Sequence, residues 1–143
     1  MPIQSLIDKY LVCGSVWRAL QTFSGGEPAK IKLLVILRRE RTMVSYLMPT
    51  SKGDYYRKTH GSAFVFVPKG SCSFFPQDTY IGCDGIYVDS YDRFADLFKK
   101  KRITYIGQLT DVIVDEIEQA LKGSRVLSPL EKRRLFPEIV DGK

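Results

Sequence analysis

The sequence has little of several features that would place it in a familiar class of proteins. It contains three cysteines, Cys13, Cys72 and Cys83, an odd number without zinc-site spacing, which indicates reduced thiols in a cytosol. Its longest apolar run is five residues, far short of the roughly 20 that a membrane-spanning helix needs. The first residues carry neither a basic start nor an extended apolar stretch, so we expect no signal peptide. The sequence also lacks a glycine-rich phosphate loop and a Ser-His-Asp arrangement.

What the sequence does contain describes a globular domain with a basic surface. Its 143 residues predict a single domain over residues 1–143, with enough interior for a hydrophobic core. Apolar residues make up 44% and charged residues 27% of the chain, as is typical of soluble globular proteins. The net charge is +6, from 22 basic and 16 acidic residues, and this balance favours a polyanionic partner such as nucleic acid.

The segment from Lys32 to Lys52 predicts a β-hairpin around which the rest of the chain is organised. Its first run, Leu33–Leu37, is apolar on both faces, so we place it in the middle of a sheet. A polar connection of about four residues leads to a second strand over Met43–Met48. That strand ends in Pro49-Thr50-Ser51-Lys52, a polar cluster at the point where the chain leaves the core. Catalytic and binding side chains are commonly held in place at such strand ends.

Further strands and helices are predicted around this hairpin. Strands are expected at Val16–Thr22, Ala63–Val67 and Thr79–Val88, the last bulged or split by Gly82 and Gly85. Four helices are expected. The first spans Ile3–Val12, and the second begins after a cap at Asp89 or Ser90. The third runs from an N-cap at Thr110 to a stop at Gly123, and the fourth begins with a capping box at Ser128. Strands mostly precede helices, which predicts a mainly β fold: a small, strongly bent antiparallel sheet or barrel with helices packed at one end.

Thr50, Ser51 and Lys52 are the first candidate for a functional site. Two hydroxyls beside an ammonium group offer donors and positive charge to a phosphate or to a developing oxyanion. The alternative is a turn at the end of a strand with a solvated lysine.

Glu27, Lys30 and Lys32 are the second candidate. A carboxylate and cations at the entry to the central strand would line one cleft, where their proximity would tune their pKa values. The alternative is a loop glutamate and edge lysines that interact weakly in water. His60 is the only histidine, so it is the only side chain whose ordinary pKa lies near neutral pH; the alternative is a polar surface residue.

Aromatic pairs and basic clusters are the remaining candidates for binding nucleic acid. Tyr55, Tyr56, Phe74 and Phe75 would stack on unpaired bases, or they belong to the core or to a dimer interface. The basic clusters would steer a polyanion, or they are solvated faces: Arg38–Arg41, Lys99–Arg102 and Lys132–Arg134.

Several short motifs follow one another in a characteristic order. They are Gly14-Ser15-Val16-Trp17-Arg18-Ala19, Gly25-Gly26-Glu27, Lys32-Leu33-Leu34-Val35-Ile36-Leu37, Met48-Pro49-Thr50-Ser51-Lys52, Thr79 to Val88, and Tyr105-Ile106-Gly107-Gln108-Leu109-Thr110. In order and spacing they resemble the opening strand, first loop, central strand, threonine-serine strand end, last strand and isoleucine-glycine element of the MazF/PemK/Kid family of toxin endoribonucleases. The resemblance covers residues 14–122 and leaves 123–143 as a C-terminal helical extension.

The resemblance implies a small SH3-like barrel, a homodimer, that cleaves single-stranded RNA in a bacterial cytoplasm without metal or cofactor. It also implies a small antitoxin protein as a partner and no association with a membrane. By position, Thr50 would hold the phosphate, Lys32 would stand where the family has its catalytic arginine, and Glu27 would match an acidic loop residue. Further RNA contacts would come from the remaining candidates: Ser51, Lys52, Lys30, His60, Tyr55 and Tyr56.

The lysine at position 32 departs from the family pattern. Arginine is a planar fork that grips phosphate with two bonds, whereas lysine is a point charge on a flexible stem. Lys30 and Lys52 are therefore alternatives for this role, and a further hypothesis is a member that binds RNA without cutting it. Another hypothesis is a protein-targeting relative, because the related CcdB-like toxins poison gyrase by protein contact. An exposed apolar helix face at Val126–Ile139 would favour that function.

Overall fold

A computed structural model describes residues 3–21, 30–52 and 63–136, with the side chains of residues 3–5, 21 and 30 outside the description. Its elements are, in chain order, α1 (Ile3–Tyr10), β1 (Ser15–Gln21), β2 (Lys30–Arg39), β3 (Met43–Leu47), β4 (Phe64–Val67), β5 (Thr79–Gly82), β6 (Tyr87–Ser90), α2 (Tyr91–Lys99), β7 (Ile103–Gln108), α3 (Asp111–Gly123) and α4 (Pro129–Leu135). The chain divides into two compact units, Met1–Pro49 with Tyr87–Leu109 and Thr50–Ile86 with Thr110–Lys143. The single domain over 1–143 stays a prediction.

The first unit is built on a five-stranded sheet with the order β6-β3-β2-β1-β7. Every neighbouring pair of strands is antiparallel. The apolar strand β2 lies in the centre, which confirms the position predicted from its two-sided apolar sequence. The hairpin to β3 is also confirmed, although its connection spans only residues 40–42, because β2 continues through Arg39 into the predicted polar corner.

One face of this sheet carries a hydrophobic core under α1 and α2. Side chains alternate between the two faces of a strand, so Trp17 and Ala19 of β1 share this face with Leu34 and Ile36 of β2. Ile7 of α1 and Phe94 of α2 belong to the same cluster, and Trp17 is fully buried with its ring edge-on to Tyr105. The burial of these rings supplies much of the free energy that holds helices and sheet together.

Three predicted helix starts are confirmed by their capping hydrogen bonds. Ser90, rather than Asp89, caps α2, and Thr110 caps α3 by accepting a hydrogen bond from the main-chain N–H of Ile113. Ser128 and Glu131 form the predicted capping box at α4, since each side chain accepts from the other residue's main-chain N–H. These bonds satisfy N–H groups that have no partner inside the helix.

The end of α2 is a Schellman turn with a lysine in the position that glycine usually occupies. The N–H of Arg102 donates to the Leu97 carbonyl at 2.7 Å, and the N–H of Lys101 donates to the Phe98 carbonyl at 3.0 Å. Lys101 adopts a left-handed conformation with φ of 60°. A side chain with a Cβ is strained there, so the turn is closed at a cost in free energy.

The order of strands and helices differs from the expectation that helices come last. Strand β7 follows α2 and pairs with β1, so Tyr105 and Ile106 belong to a strand instead of a simple lead into α3. The predicted strand Thr79–Val88 is split near Gly82 and Gly85, and its halves pair in different sheets as β5 and β6. Local sequence shows where such a strand breaks, but the partner of each half depends on distant residues.

Over residues 50–52, 63–86 and 110–136, the second unit contains a two-stranded antiparallel sheet and two helices. Strand β4 pairs with β5, with Val65 opposite Ile81, and α3 packs against β4. Ile117 and Leu121 of α3 are buried, so this side of the helix faces the core of the unit. The ammonium of Lys132 in α4 donates to the carbonyl of Lys122 in the last turn of α3 at 2.8 Å. The mainly β, antiparallel fold with helices is therefore confirmed.

Candidate functional site

The predicted hydroxyl and lysine cluster forms a defined corner in the second unit. Thr50 exchanges two main-chain hydrogen bonds with Tyr80 of β5, at 2.9 and 2.8 Å. The side-chain oxygen of Thr50 also accepts from the main-chain N–H of Lys52 at 3.1 Å. Ser51 and Lys52 are exposed at this corner. Because Tyr80 is buried, the bridge ties an exposed polar corner to a fixed strand.

Lys32 lies in the central strand of the first unit, on the face that carries the core. It pairs with Ala19 of β1 and lies two residues before Leu34, so the three side chains are on the same face of the sheet. Ala19 and Leu34 both belong to the hydrophobic cluster. Its side chain is nevertheless partly exposed, so its charge stays in contact with water. Lys30 begins the same strand and pairs with Gln21 through the main chain.

The other predicted site residues, Glu27, His60, Tyr55 and Tyr56, lie outside the described residues. Lys32 belongs to the first unit and Thr50 to the second. The catalytic constellation of Lys32, Thr50 and Glu27 therefore stays a prediction.

For the second aromatic pair, Phe74 and Phe75, the structure places Phe75 in the core, and base stacking by Phe74 stays a prediction. Phe75 is only 1% exposed, so it belongs to the core and is not accessible for stacking on a base. Its ring meets the partly exposed Phe74 edge to face, with centroids 5.2 Å apart.

A cleft in the first unit brings together residues that the sequence had left unconnected. It has a volume of about 380 Å³, and apolar side chains of the sheet and of α2 form much of its lining, among them Leu34, Phe94 and Leu97. Its polar and charged lining consists of Tyr46, Asp89, Arg93, Lys100 and Arg102. Two cations of the basic cluster Lys99–Arg102 thus line a concave surface.

Tyr46 and Asp89 form a short hydrogen bond inside this cleft. The phenol oxygen donates to Oδ2 of Asp89 at 2.6 Å, while Oδ1 lies 3.9 Å from Nε of Arg93. Burial raises the pKa of Tyr46 well above its usual range, and the neighbouring carboxylate raises it further. The phenol of Tyr46 therefore stays protonated and acts as a hydrogen-bond donor. It binds Oδ2 of Asp89, while Oδ1 of the same carboxylate faces Arg93.

A second polar network lies in the other unit, around Asp84 and Ser124. The Ser124 hydroxyl donates to Asp84 at 2.6 Å, and its oxygen accepts from the main-chain N–H groups of Val126 and Leu127 at 3.2 and 3.3 Å. Asp84 also accepts from the N–H of Ala63 at 2.9 Å. With Ser124 only 2% exposed, the network joins the start of β4 to the connection between α3 and α4.

None of the three cysteines is in a disulfide, in keeping with the reduced thiols expected from the sequence. Burial raises the pKa of the Cys83 thiol to about 12, and the nearby Asp84 carboxylate adds to the effect. Thiolate is the nucleophilic form of cysteine, so Cys83 is a poor nucleophile at neutral pH.

The cleft residues Tyr46, Asp89 and Arg93 were not singled out by sequence reasoning. They come from β3, β6 and α2, and only the register between β3 and β6 places Tyr46 beside this end of the sheet. The single local signal was the spacing of Asp89 and Arg93, four residues apart across a helix start, which is typical of an ordinary surface ion pair.

Comparison with known proteins adds no family to this description. A scan against protein-family models finds none that matches the chain, and a search of curated proteins finds no match. Within residues 3–21, 30–52 and 63–136, no helix is long and apolar enough to cross a membrane. Over the same residues, no three His, Cys, Asp or Glu side chains are grouped as a metal site requires.

Proposed function

We propose that this chain is the toxin of a toxin–antitoxin system and acts as a metal-independent endoribonuclease on single-stranded RNA. The proposal includes an SH3-like barrel, a homodimer in the cytoplasm, and a small antitoxin protein that neutralises the activity. Its support is the ordered series of motifs from Gly14 to Thr110, together with a net charge of +6 that suits a polyanionic substrate.

The observation that carries the proposal is the hydrogen bonding at the Thr50 corner. The Thr50 oxygen accepts from the N–H of Lys52, and no described residue accepts the hydroxyl proton. A hydroxyl of this kind is ready to donate to a phosphate oxygen. The two main-chain bonds to Tyr80 hold the donor in place before substrate binds, as stabilisation of a transition state requires.

The chemistry is an internal transfer at phosphorus. The substrate's 2′-oxygen loses its proton and attacks the adjacent phosphorus, the bond from phosphorus to the 5′-oxygen breaks, and that oxygen takes up a proton. The products carry a 2′,3′-cyclic phosphate and a 5′-hydroxyl. Thr50 would donate to a non-bridging oxygen, Lys32 would neutralise the charge that develops there, and Glu27 would accept the first proton.

The test is incubation of the purified protein with mixed-sequence single-stranded RNA in EDTA, followed by analysis of the product ends. We expect wild type to produce cyclic phosphates, and Thr50→Val and Lys32→Ala to lose about 100-fold in rate. Thr50→Ser keeps the hydroxyl and Lys32→Arg restores the family residue, so both should remain active. Lys69→Ala removes an exposed lysine of the second unit and serves as the charge control. Intact RNA with the wild type would refute the enzymatic function.

A non-enzymatic binder with the same fold is the second candidate. Val126 and Leu130 are 67% and 73% exposed, so part of the apolar face that would favour a protein target is open to water. In contrast, Leu127, Leu135 and Phe136 are buried, and residues 137–139 of the expected face lie outside the described residues. A gel shift on the uncut RNA samples would separate an RNA binder that does not cleave from a protein-targeting relative.

A further inference from the structure

The cleft of the first unit combines an apolar lining, one carboxylate and three cations within about 380 Å³. We propose that this cleft binds a single nucleotide, with the base on the apolar side chains, a base amino group on Asp89 and the phosphate on the cations. The volume lies in the range of small-molecule sites, and a few polar groups beside an apolar lining are typical of such sites.

The apolar side of the cleft comes from rigid elements of the sheet and of α2. Leu34 of β2 and Ile103 of β7 are nearly fully buried, whereas Leu20 of β1 is 42% exposed and Leu97 of α2 is partly exposed. Phe94 packs edge to face against Tyr46, with ring centroids 5.6 Å apart. A base in the cleft would therefore bury apolar surface of Leu20 and Leu97, and the packed core would not have to rearrange.

Asp89 gives the cleft a hydrogen-bond acceptor with a fixed orientation. Its Oδ2 is held by the Tyr46 hydroxyl at 2.6 Å. Its Oδ1 lies 3.9 Å from Arg93, which is too long for a hydrogen bond, so this oxygen can accept from a ligand. Adenine, cytosine and guanine present exocyclic amino donors, whereas uracil presents only its ring N3–H between two carbonyl oxygens, which a carboxylate repels. The acceptor therefore favours a base that carries an amino group.

Arg93, Lys100 and Arg102 supply the charge for a phosphate. Three cations and one carboxylate leave the lining with two positive charges in excess. The side chains of Arg93 and Lys100 are 65% and 64% exposed, and their ion pairs with Asp89 and Asp96 are surface pairs, which hold a side chain only weakly. Both cations can therefore turn to a phosphate, whose oxygens form stronger charge-assisted hydrogen bonds.

This combination favours a nucleotide over an acidic peptide or a simple anion. A simple anion would need only the cations, and it would leave both the apolar lining and Asp89 without a role. An acidic peptide would bring a further negative charge close to the Asp89 carboxylate, which is unfavourable. A nucleotide places its only negative group at the cations and offers a donor to the carboxylate.

The inference goes beyond the proposed function, because the cleft lies in the first unit and its test measures binding alone. A protein that cleaves no RNA can still bind nucleotides here, and a cleaving protein can lack this site. The two proposals therefore fail separately.

The experiment is a titration of the full chain in EDTA at low salt, followed by calorimetry and by the methyl NMR signals of Leu97 and Ile103. The probes are cytidine 5′-monophosphate, uridine 5′-monophosphate, cytidine, inorganic phosphate and a five-residue 2′-O-methyl oligocytidylate, which lacks the 2′-hydroxyl needed for cleavage. We expect cytidine 5′-monophosphate to bind more tightly than cytidine, phosphate or the uridine nucleotide, with shifts at both methyl groups. Much tighter binding of the oligonucleotide would assign the site to a strand, and equal binding would assign it to free nucleotide.

Variants of exposed residues test the assignment without disturbing the core. Arg93→Ala and Lys100→Ala should each weaken binding about tenfold, since each removes a charge-assisted hydrogen bond. Lys99→Ala is the matched control, because it removes the same charge from the same exposed helix end outside the lining. Asp89→Asn should abolish the preference for cytidine over uridine nucleotide. Undetectable nucleotide binding, phosphate binding as tight as the nucleotide, or an equal effect of Lys99→Ala would each overturn the proposal.

Discussion

The phenol oxygen of Tyr46 lies 2.6 Å from Oδ2 of Asp89, across the pairing of β3 with β6 at one end of the sheet. Since Tyr46 is only 5% exposed, this bond links a core side chain to the charged lining of a cleft. The stability of the first unit and the orientation of Asp89 therefore depend on one hydroxyl group.

Replacement of Tyr46 by phenylalanine removes that hydroxyl and keeps the ring. We expect the free energy of unfolding to fall by about 2 kcal/mol at pH 7, the usual worth of a hydrogen bond to a charged group. Urea unfolding measures the change. Tyr87→Phe is the control, because Tyr87 stacks on Tyr46 but is 47% exposed, and its loss should cost well under half as much.

The raised pKa of Tyr46 also predicts a loss of stability in alkali. The folded pKa lies above the ordinary value of 10.0, so the phenol contributes its full stability below pH 10. As the pH rises beyond 10, unfolded Tyr46 ionises first, and stability falls by up to about 1.4 kcal/mol per pH unit. Unfolding at pH 8 and 11 should show a smaller decrease in Tyr46→Phe than in wild type. Tyr91, whose pKa is also raised, acts equally in both proteins. The same decrease in the two proteins would contradict the prediction.

Lys101→Gly should stabilise the protein by about 1 kcal/mol, because glycine adopts the left-handed conformation of this turn without strain. Lys99→Gly removes the same charge from the last turn of α2, where helical geometry disfavours glycine, and should destabilise by a similar amount. Thermal unfolding measures both variants. A higher melting temperature for Lys101→Gly and a lower one for Lys99→Gly would support strain at Lys101, whereas lower melting temperatures for both variants would refute it.

Ser124→Ala should cost about 2 to 3 kcal/mol, because it leaves Asp84 with one fewer donor and deprives two main-chain N–H groups of their acceptor. The exposed Ser71 is the control, and Ser71→Ala should stay within about 0.5 kcal/mol of wild type. Denaturant midpoints for the pair measure the difference, and similar midpoints would show that the buried hydroxyl adds little.

The cysteines should react with iodoacetamide at pH 8 in the order Cys13, Cys72, Cys83. Cys13 is exposed, burial raises the pKa of Cys72, and that of Cys83 is raised to about 12. Cys83 should be modified only when denaturant is added, since little thiolate forms in the folded state. Peptide mass spectrometry over time gives the order, and early modification of Cys83 would contradict its burial.

Local signals made much of the fold predictable. An N-cap hydroxyl identified Thr110 as a helix start, a capping box identified Ser128, and a strand apolar on both faces identified β2 as central. For the strand expected at Thr79–Val88, the sequence predicted the break but not the pairing. Glycines indicate where a strand is interrupted, but they do not indicate which strand each half pairs with. The site was least predictable, because Tyr46 meets Asp89 only through strand register, which no local pattern encodes.

The strand order of the five-stranded sheet has a consequence for self-association. Of the five strands of this sheet, β6 and β7 lie at the edges, so a second copy of the chain could extend this sheet only at those two strands. Strand β6 is four residues long and turns directly into α2 after Ser90, which leaves a short template for a passing strand. The apolar β2, the segment most prone to form amyloid-like stacks if exposed, is covered on both sides. The arrangement therefore keeps this apolar strand from pairing with another chain while the protein stays folded.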